Sequence, residues 1–146
     1  TTEIYTLSLH DALPISFARA RGLSPRMHVT GFCPDPAIPG IMARTGIVLA
    51  PFTQDHSSGS INMGLAHSRP VVAYRTRLTE EMNRNGAGLL IVDGKTGLAE
   101  VLLAAEADPG VRARAVAAGA GYRSAFGFPA AAERFAGWYR DMLARR

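Results

Sequence analysis

The chain has 146 residues, a formal net charge of +4 with histidine neutral, 47% hydrophobic residues and a single cysteine. That length is one domain's worth of chain with enough apolar material for a real core. The lone Cys33 excludes an internal disulfide and fits a reducing compartment, so a cytoplasmic location is expected. No apolar stretch approaches the roughly 20 residues of a bilayer-spanning helix. No run of four consecutive basic residues occurs and no aromatic residues interleave with the arginine pairs, which disfavours a nucleic-acid surface. A basic balance remains compatible with anionic headgroups or a phosphorylated small molecule. The excess of 15 arginines over one lysine is read as the mark of a GC-rich genome rather than of a function.

Residues 1–16, TTEIYTLSLHDALPIS, resemble the conceptual translation of a sequencing-library adapter, whose codons read Thr1 through Ile15 and open a codon compatible with Ser16. A secretory signal fits less well, because the segment has no Lys or Arg and His10 and Asp11 interrupt its apolar run. The expectation is that residues 1–16 are not native and that 17–146 are part of a longer protein. Without them the chain carries 16 basic and 10 acidic residues.

From there short apolar runs alternate with helical ones, the pattern of βα units around a parallel sheet. Met27 to Phe32 reads as a strand, and Ala37 to Arg44 as a short helix weakened by Gly40. Gly46 to Pro51 reads as a strand covered on both faces. A helix opening at Ser57 runs to Ser68, with Ile61, Gly64, Leu65 and Ser68 facing the sheet. Val71 to Tyr74 is the next strand, Glu80 to Asn85 a helix, Gly88 to Val92 a strand and Thr96 to Ala107 a helix. The tail is helical: Pro109 to Ala125, broken near Gly119 and Gly121, then a last helix started by Pro129. In that last helix Phe135, Trp138, Tyr139 and Met142 recur at helical spacing, a stripe expected to pack into the core. The fold class expected is α/β, an incomplete Rossmann-like parallel sheet with flanking helices and a helical C-terminal tail.

Ile47 to Ala50, the loop Pro51 to His56, the helix beginning at Ser57 and the strand at Val71 form one βαβ unit. Such units bind ligands outside the carboxyl ends of their strands. A helix N-terminus presents unpaired N–H groups and a partial positive charge, which suit a phosphate. Gly59 leaves the backbone open to close approach, and Ser57, Ser58 and Ser60 offer hydroxyls, with His56 in the same loop. The same serines also fit an ordinary N-cap, worth about 1 kcal/mol without any ligand. His28, His56 and His67 lack metal-ligand spacing. Glu80 and Glu81 point about 100° apart on a helix, so they read as a solvated helix start rather than an acid/base pair.

From Gly31 to Ala105 the chain resembles the nucleotide-sugar-binding C-terminal domain of retaining GT-B glycosyltransferases, group 1 or family 4 in type. That family shows a strand ending in proline, a glutamate four residues on, a Gly-containing helix start, a second glutamate eight residues later, then a small residue and Pro-Val-Val. Here Pro51 is followed by Asp55, the helix carries SSGS, and Arg69 leads into Pro70, Val71 and Val72. GAGLLIVDG at 86–94 and ADPGVRARAVAAG at 107–119 are similar to the family's downstream stretches. The resemblance implies a role near the sugar for Asp55, diphosphate binding by His56, Ser57, Ser58, Gly59 and Ser60, and a base-contacting loop at Phe32 and Cys33, which equally suits a buried turn. The second glutamate falls on Met63, a poor hydrogen-bond acceptor. Donor binding is therefore either lost or served by Asn62 or another neighbour.

The resemblance further implies a nucleotide diphosphate sugar as donor substrate and an acceptor-binding N-terminal domain earlier in the same chain. No metal is expected, since no acidic pair sits beside the diphosphate cradle to hold one, and no cofactor or nucleic-acid partner is expected either. The missing half would carry any peripheral membrane contact, at the inner membrane. Two other readings stay open: a non-catalytic structural or interaction module, and a GT-B-fold sugar-nucleotide epimerase.

Overall fold

The computed structural model describes residues 4–6, 19–22, 27–30, 33–55 and 59–145. The chain separates into two units, Thr1–Ile41 and Met42–Arg146. In the first, β1 (Ile4–Thr6) and β2 (Met27–Val29) pair in parallel, with Ile4 opposite Met27 and Thr6 opposite Val29. β1 lies within the segment that reads as adapter. β2 is shorter than the expected strand to Phe32, which falls outside the described residues. A 3-10 turn, Asp35–Ala37, with Pro36 in its first positions, leads into α1 (Ile38–Arg44), whose last turn belongs to the second unit.

The second unit is built on a three-stranded parallel sheet, ordered β3 (Val48–Ala50), β4 (Val71–Tyr74), β5 (Leu90–Val92). Parallel neighbours need crossover connections, supplied by α2 (Gly59–Ala66) and α3 (Arg77–Arg84). After β5 come α4 (Gly94–Ala107), α5 (Pro109–Phe126) and α6 (Phe128–Ala144). The register puts Val48 beside Val71 and Ala50 beside Ala73 on one face. There α2 lies close, because Gly64 has no side chain to meet Val71 and Val48. The other face carries Val72 and Val92, and α4 covers it, with Gly97 over Val92. Leu49, on that second face of edge strand β3, is 40% exposed, so β3 is not covered on both faces as expected.

α2 ends earlier than its apolar pattern suggests. Ser68 does not face the sheet: it adopts φ +56° after the last turn. Ser68 N–H donates to the Leu65 carbonyl and Arg69 N–H to that of Gly64, a Schellman termination ahead of Pro70. Ser68 is serine where glycine would be unstrained, and Arg123 of α5 compensates. Its guanidinium donates to the Leu65 carbonyl, to Ser68 Oγ at 2.6 Å and to the Ala66 carbonyl at 3.4 Å. The same device recurs. Arg69 Nη2 reaches the Ala43 carbonyl at the end of α1, Arg112 Nη1 that of Ala105 in α4, and Arg134 Nη1 that of Ala125 in α5. Cations at helix C-termini satisfy orphan carbonyls and oppose the negative end of the dipole. Part of the arginine excess is therefore structural.

α5 runs unbroken through Gly119 and Gly121, contrary to the expected break. Gly119 is buried where a β-carbon would stand 3.0 Å from Leu65 Cδ2 and 3.3 Å from the Ala87 carbonyl. Close packing outweighs glycine's helix cost of about 1 kcal/mol. Leu65 lies in the last turn of α2 and Ala87 shortly precedes β5, so α5 packs at the amino ends of the strands, away from their carboxyl ends.

α3 is fastened at both ends. Thr76 caps it: Thr76 Oγ1 accepts from Thr79 N–H and Thr79 Oγ1 from Thr76 N–H, at 3.2 and 2.9 Å. Gly86, at φ +84°, closes it. Asn83 then grips the backbone of Leu89 both ways, Nδ2 to the carbonyl at 2.8 Å and Oδ1 from the N–H at 2.7 Å. Replacing Asn83 with leucine strands both backbone groups, and a loss of about 2 kcal/mol is expected in urea unfolding. Asn83→Asp, which keeps only the acceptor, should fall between the two.

The stripe on α6 is not core. Phe135, Trp138, Tyr139 and Met142 are 52–64% exposed, and Phe128 is 95% exposed. No residue of α6 is buried. Helical spacing gathers these side chains on one face, but packing requires an opposing surface.

Candidate functional site

The chemistry-bearing residues of the second unit gather where its strands end. β3 leads to Pro51–Asp55, β4 to Arg75 and Thr76, and β5 to Asp93. Arg75 ties these ends together. Its N–H donates to the Val92 carbonyl at 2.9 Å. Its Nε and Nη2 form a two-pronged pair with the Asp93 carboxylate at 2.8 and 3.2 Å, and Nη1 reaches Glu80 Oε1 of α3 at 3.0 Å. Planar guanidinium matches carboxylate geometry, which makes such pairs directional. The two carboxylates push the Arg75 pKa up, Asp93 first and Glu80 second. Asp93 is in turn pulled below the ordinary 3.8 by its hydrogen bonds from Arg75, although partial desolvation opposes the shift.

Asp55 is the second anchor. Its Oδ1 accepts from Leu78 N–H at 3.0 Å in the first turn of α3, and its Oδ2 lies 3.9 Å from Arg77 Nε. The Leu78 N–H is the largest cause of a pKa below the ordinary 3.8, with the Thr76 hydroxyl and the Arg77 charge adding to it against some desolvation. A carboxylate at a helix N-terminus is stabilised by free N–H groups and the positive dipole end.

Both shifts have one sign. A depressed carboxylate pKa stabilises the folded state fully above the unfolded value of 3.8, and that contribution is lost as pH falls below 3.8 through each group's own lower value. Carboxyl-carbon NMR titration of the chain should give midpoints below 3.8 for Asp55 and Asp93. Arg75→Met should return Asp93 toward the ordinary value while leaving Asp55 low.

Gly59 opens α2 at the same edge, and a β-carbon there would meet nothing within 4 Å, so the backbone can be approached. Ser60 follows, half-buried. Ile61, Gly64 and Leu65 are buried against the sheet as expected, while Asn62 is exposed and Met63 is half-buried. His56, Ser57, Ser58 and Phe32 lie outside the described residues. Cys33 belongs to the first unit, where it is half-buried with Sγ 3.8 Å from the Pro34 carbonyl. Glu80 and Glu81 form no acid/base pair: Glu80 belongs to Arg75. Among the described residues no group of three or more His, Cys, Asp or Glu side chains could hold a metal ion. No described helix is long and apolar enough to cross a membrane.

Sequence reasoning missed Arg75, Thr76, Arg77 and Asp93 as parts of this edge. Their signal was positional: Arg75 and Asp93 follow directly on apolar strands, and Thr76 and Arg77 come next after Arg75, where a parallel sheet presents its carboxyl end.

Comparison with known proteins agrees with this architecture. No curated protein matches the chain. Among solved structures, sucrose-phosphate synthase from Thermosynechococcus elongatus superposes with a TM-score of 0.76 at 16% identity, over 91% of this chain and 34% of that one. HepE from Anabaena, solved in complex with UDP and glucose, superposes with a TM-score of 0.72 at 23% identity, over 87% of this chain and 35% of that one. The chain thus spans about a third of the length of these structures. The family model for group 1 glycosyl transferases matches residues 10–118. With that match across most of its length and a helix-flanked parallel sheet, the chain belongs to the group 1 glycosyltransferases.

Proposed function

We propose that this chain is the donor-binding part of a glycosyltransferase that moves a sugar from a nucleotide diphosphate sugar to an acceptor held by another domain of the parent protein. The observation that carries the reading is the N-terminus of α2 at the carboxyl end of β3, opened by Gly59 with free space around it. Its N–H groups suit the diphosphate, and their fixed dipoles would stabilise the charge that develops as it leaves. HepE, similar in fold, was solved with UDP and glucose. In this reading Ser57, Ser58 and Ser60 add hydroxyl donors, His56 lines the diphosphate, and Asn62 serves the ribose in place of a glutamate. Transfer calls for no metal and no cofactor, and the protein works in the cytoplasm with peripheral contact at the inner membrane. Residues 1–16 are adapter-derived and 17–146 the partial domain; resequencing the source DNA across the Ser16 codon tests this, and a native frame continuing unchanged through that codon would refute it.

Calorimetric titration of the chain with UDP, ADP, GDP and their glucose conjugates tests the donor reading. One diphosphate series is expected to bind, and its bare nucleoside to bind far more weakly. Absence of heat with all of them would favour the second reading, a non-catalytic module, which Met63 at the ribose position supports.

A further inference from the structure

Three helix N-termini, those of α2, α3 and α4, follow strands of the same sheet, and those of α2 and α3 differ in what occupies them. At α3 the chain has supplied its own anion. Thr79 N–H is taken by Thr76 Oγ1 and Leu78 N–H by Asp55 Oδ1, with Arg77 beside the same carboxylate. Arg75, at the same edge, is already shared between Asp93 and Glu80. An incoming phosphate would have to displace a carboxylate at α3, whereas Gly59 at α2 is open.

Asp55 is also the described residue that precedes α2 in the chain, so whatever holds it limits where the backbone enters that helix. We infer that Asp55 is a positioning residue: it fastens the β3–α2 connection to the first turn of α3, and donor affinity depends through that tether on a hydrogen-bond acceptor at position 55. The inference rests on the donor-binding reading for its effect on affinity, but the tether itself does not. It also revises the role near the sugar that the family resemblance implies for Asp55. A carboxylate held by a helix N-terminus and a guanidinium stays ionised and is a poor base, which suits an anchor better than an acid/base group.

The test compares the chain with Asp55→Ala and Asp55→Asn, by amide NMR and by titration with UDP. Alanine removes the acceptor. The Leu78 amide should lose its hydrogen-bond shift, the Gly59 and Ser60 amides should move, and UDP should bind about tenfold more weakly, the equivalent of one hydrogen bond. Asparagine keeps an oxygen for Leu78 N–H and should restore the Leu78 signal and recover most of the affinity, to within about threefold, the residue of the lost charge pairing with exposed Arg77. A rescue of the Leu78 signal without any rescue of affinity would overturn the inference, because the carboxylate would then act on the ligand itself. An unmoved Leu78 amide in Asp55→Ala would overturn the tether. If the unsubstituted chain binds no UDP, the donor reading fails for that nucleotide, and the tether stands or falls on the Leu78, Gly59 and Ser60 resonances.

Discussion

Replacing Gly88 with valine is expected to destabilise the chain by about 4 kcal/mol, read as a fall in the urea midpoint at unchanged slope. Two costs act at one position. Gly88 sits at φ +69°, a left-handed conformation that costs an L-residue about 1–2 kcal/mol and is worst for a β-branched one. Its β-carbon would also stand 2.6 Å from Ala118 Cβ and 2.8 Å from the Ala115 carbonyl oxygen. These belong to the middle of α5, not to a flexible tip, so the helix must shift, at a further 1–3 kcal/mol or so. Natural domains have about 5–15 kcal/mol in hand, so much of the margin would go. Gly86→Ala, also at positive φ but with open space around it, isolates the conformational cost and should lose only about 1 kcal/mol. A Gly88→Val loss no larger than that of Gly86→Ala would mean that α5 does not press on this loop.

Gly64→Ala is expected to cost about 3 kcal/mol for a different reason. Its backbone is ordinary helix, and alanine is intrinsically the better helix former. The added methyl, however, would stand 2.5 Å from Val71 Cγ2 and 3.2 Å from Val48 Cβ. Val71 is 1% exposed in the central strand and has nowhere to go, so α2 must lift from the sheet. Val71→Ala alone should also destabilise, by about 2 kcal/mol, through the cavity it leaves. In the double variant the new methyl fills part of that cavity, and the total should fall at least 1 kcal/mol short of the sum. Strict additivity would show that the two positions do not touch. Because α2 carries the Gly59 opening, the double variant also shows whether ligand affinity follows the seating of this helix.

Much of the fold was legible in the residues. VVAY and LLIV are apolar runs of strand length between turn residues, and Pro109 and Pro129 open helices where their missing N–H groups do no harm. Gly59 at a helix start after a strand was legible too, because the βαβ pattern alone places it at a carboxyl edge. The break at Gly119 was misread because helix propensity is a weak prior, and a glycine under Leu65 and Ala87 is there for clearance. Ser68 was assigned to the buried face by periodicity, but Pro70 and the Schellman bonds end the helix first.

The sequence by itself determined the α/β class and the order of the elements from β2 onward, because these rest on periodicity and on backbone chemistry within a few residues. Only the tertiary structure decided that Arg75 would join Asp93 and Glu80, that Asp55 would bind the N-terminus of α3 rather than face open space, and that the aromatic stripe of α6 would stay exposed. Each of these depends on what lies across a gap from the residue: 18 positions separate Arg75 from Asp93 and 23 separate Asp55 from Leu78. Local pattern carries no information about partners at that separation, and charge and burial acquire their meaning only from them.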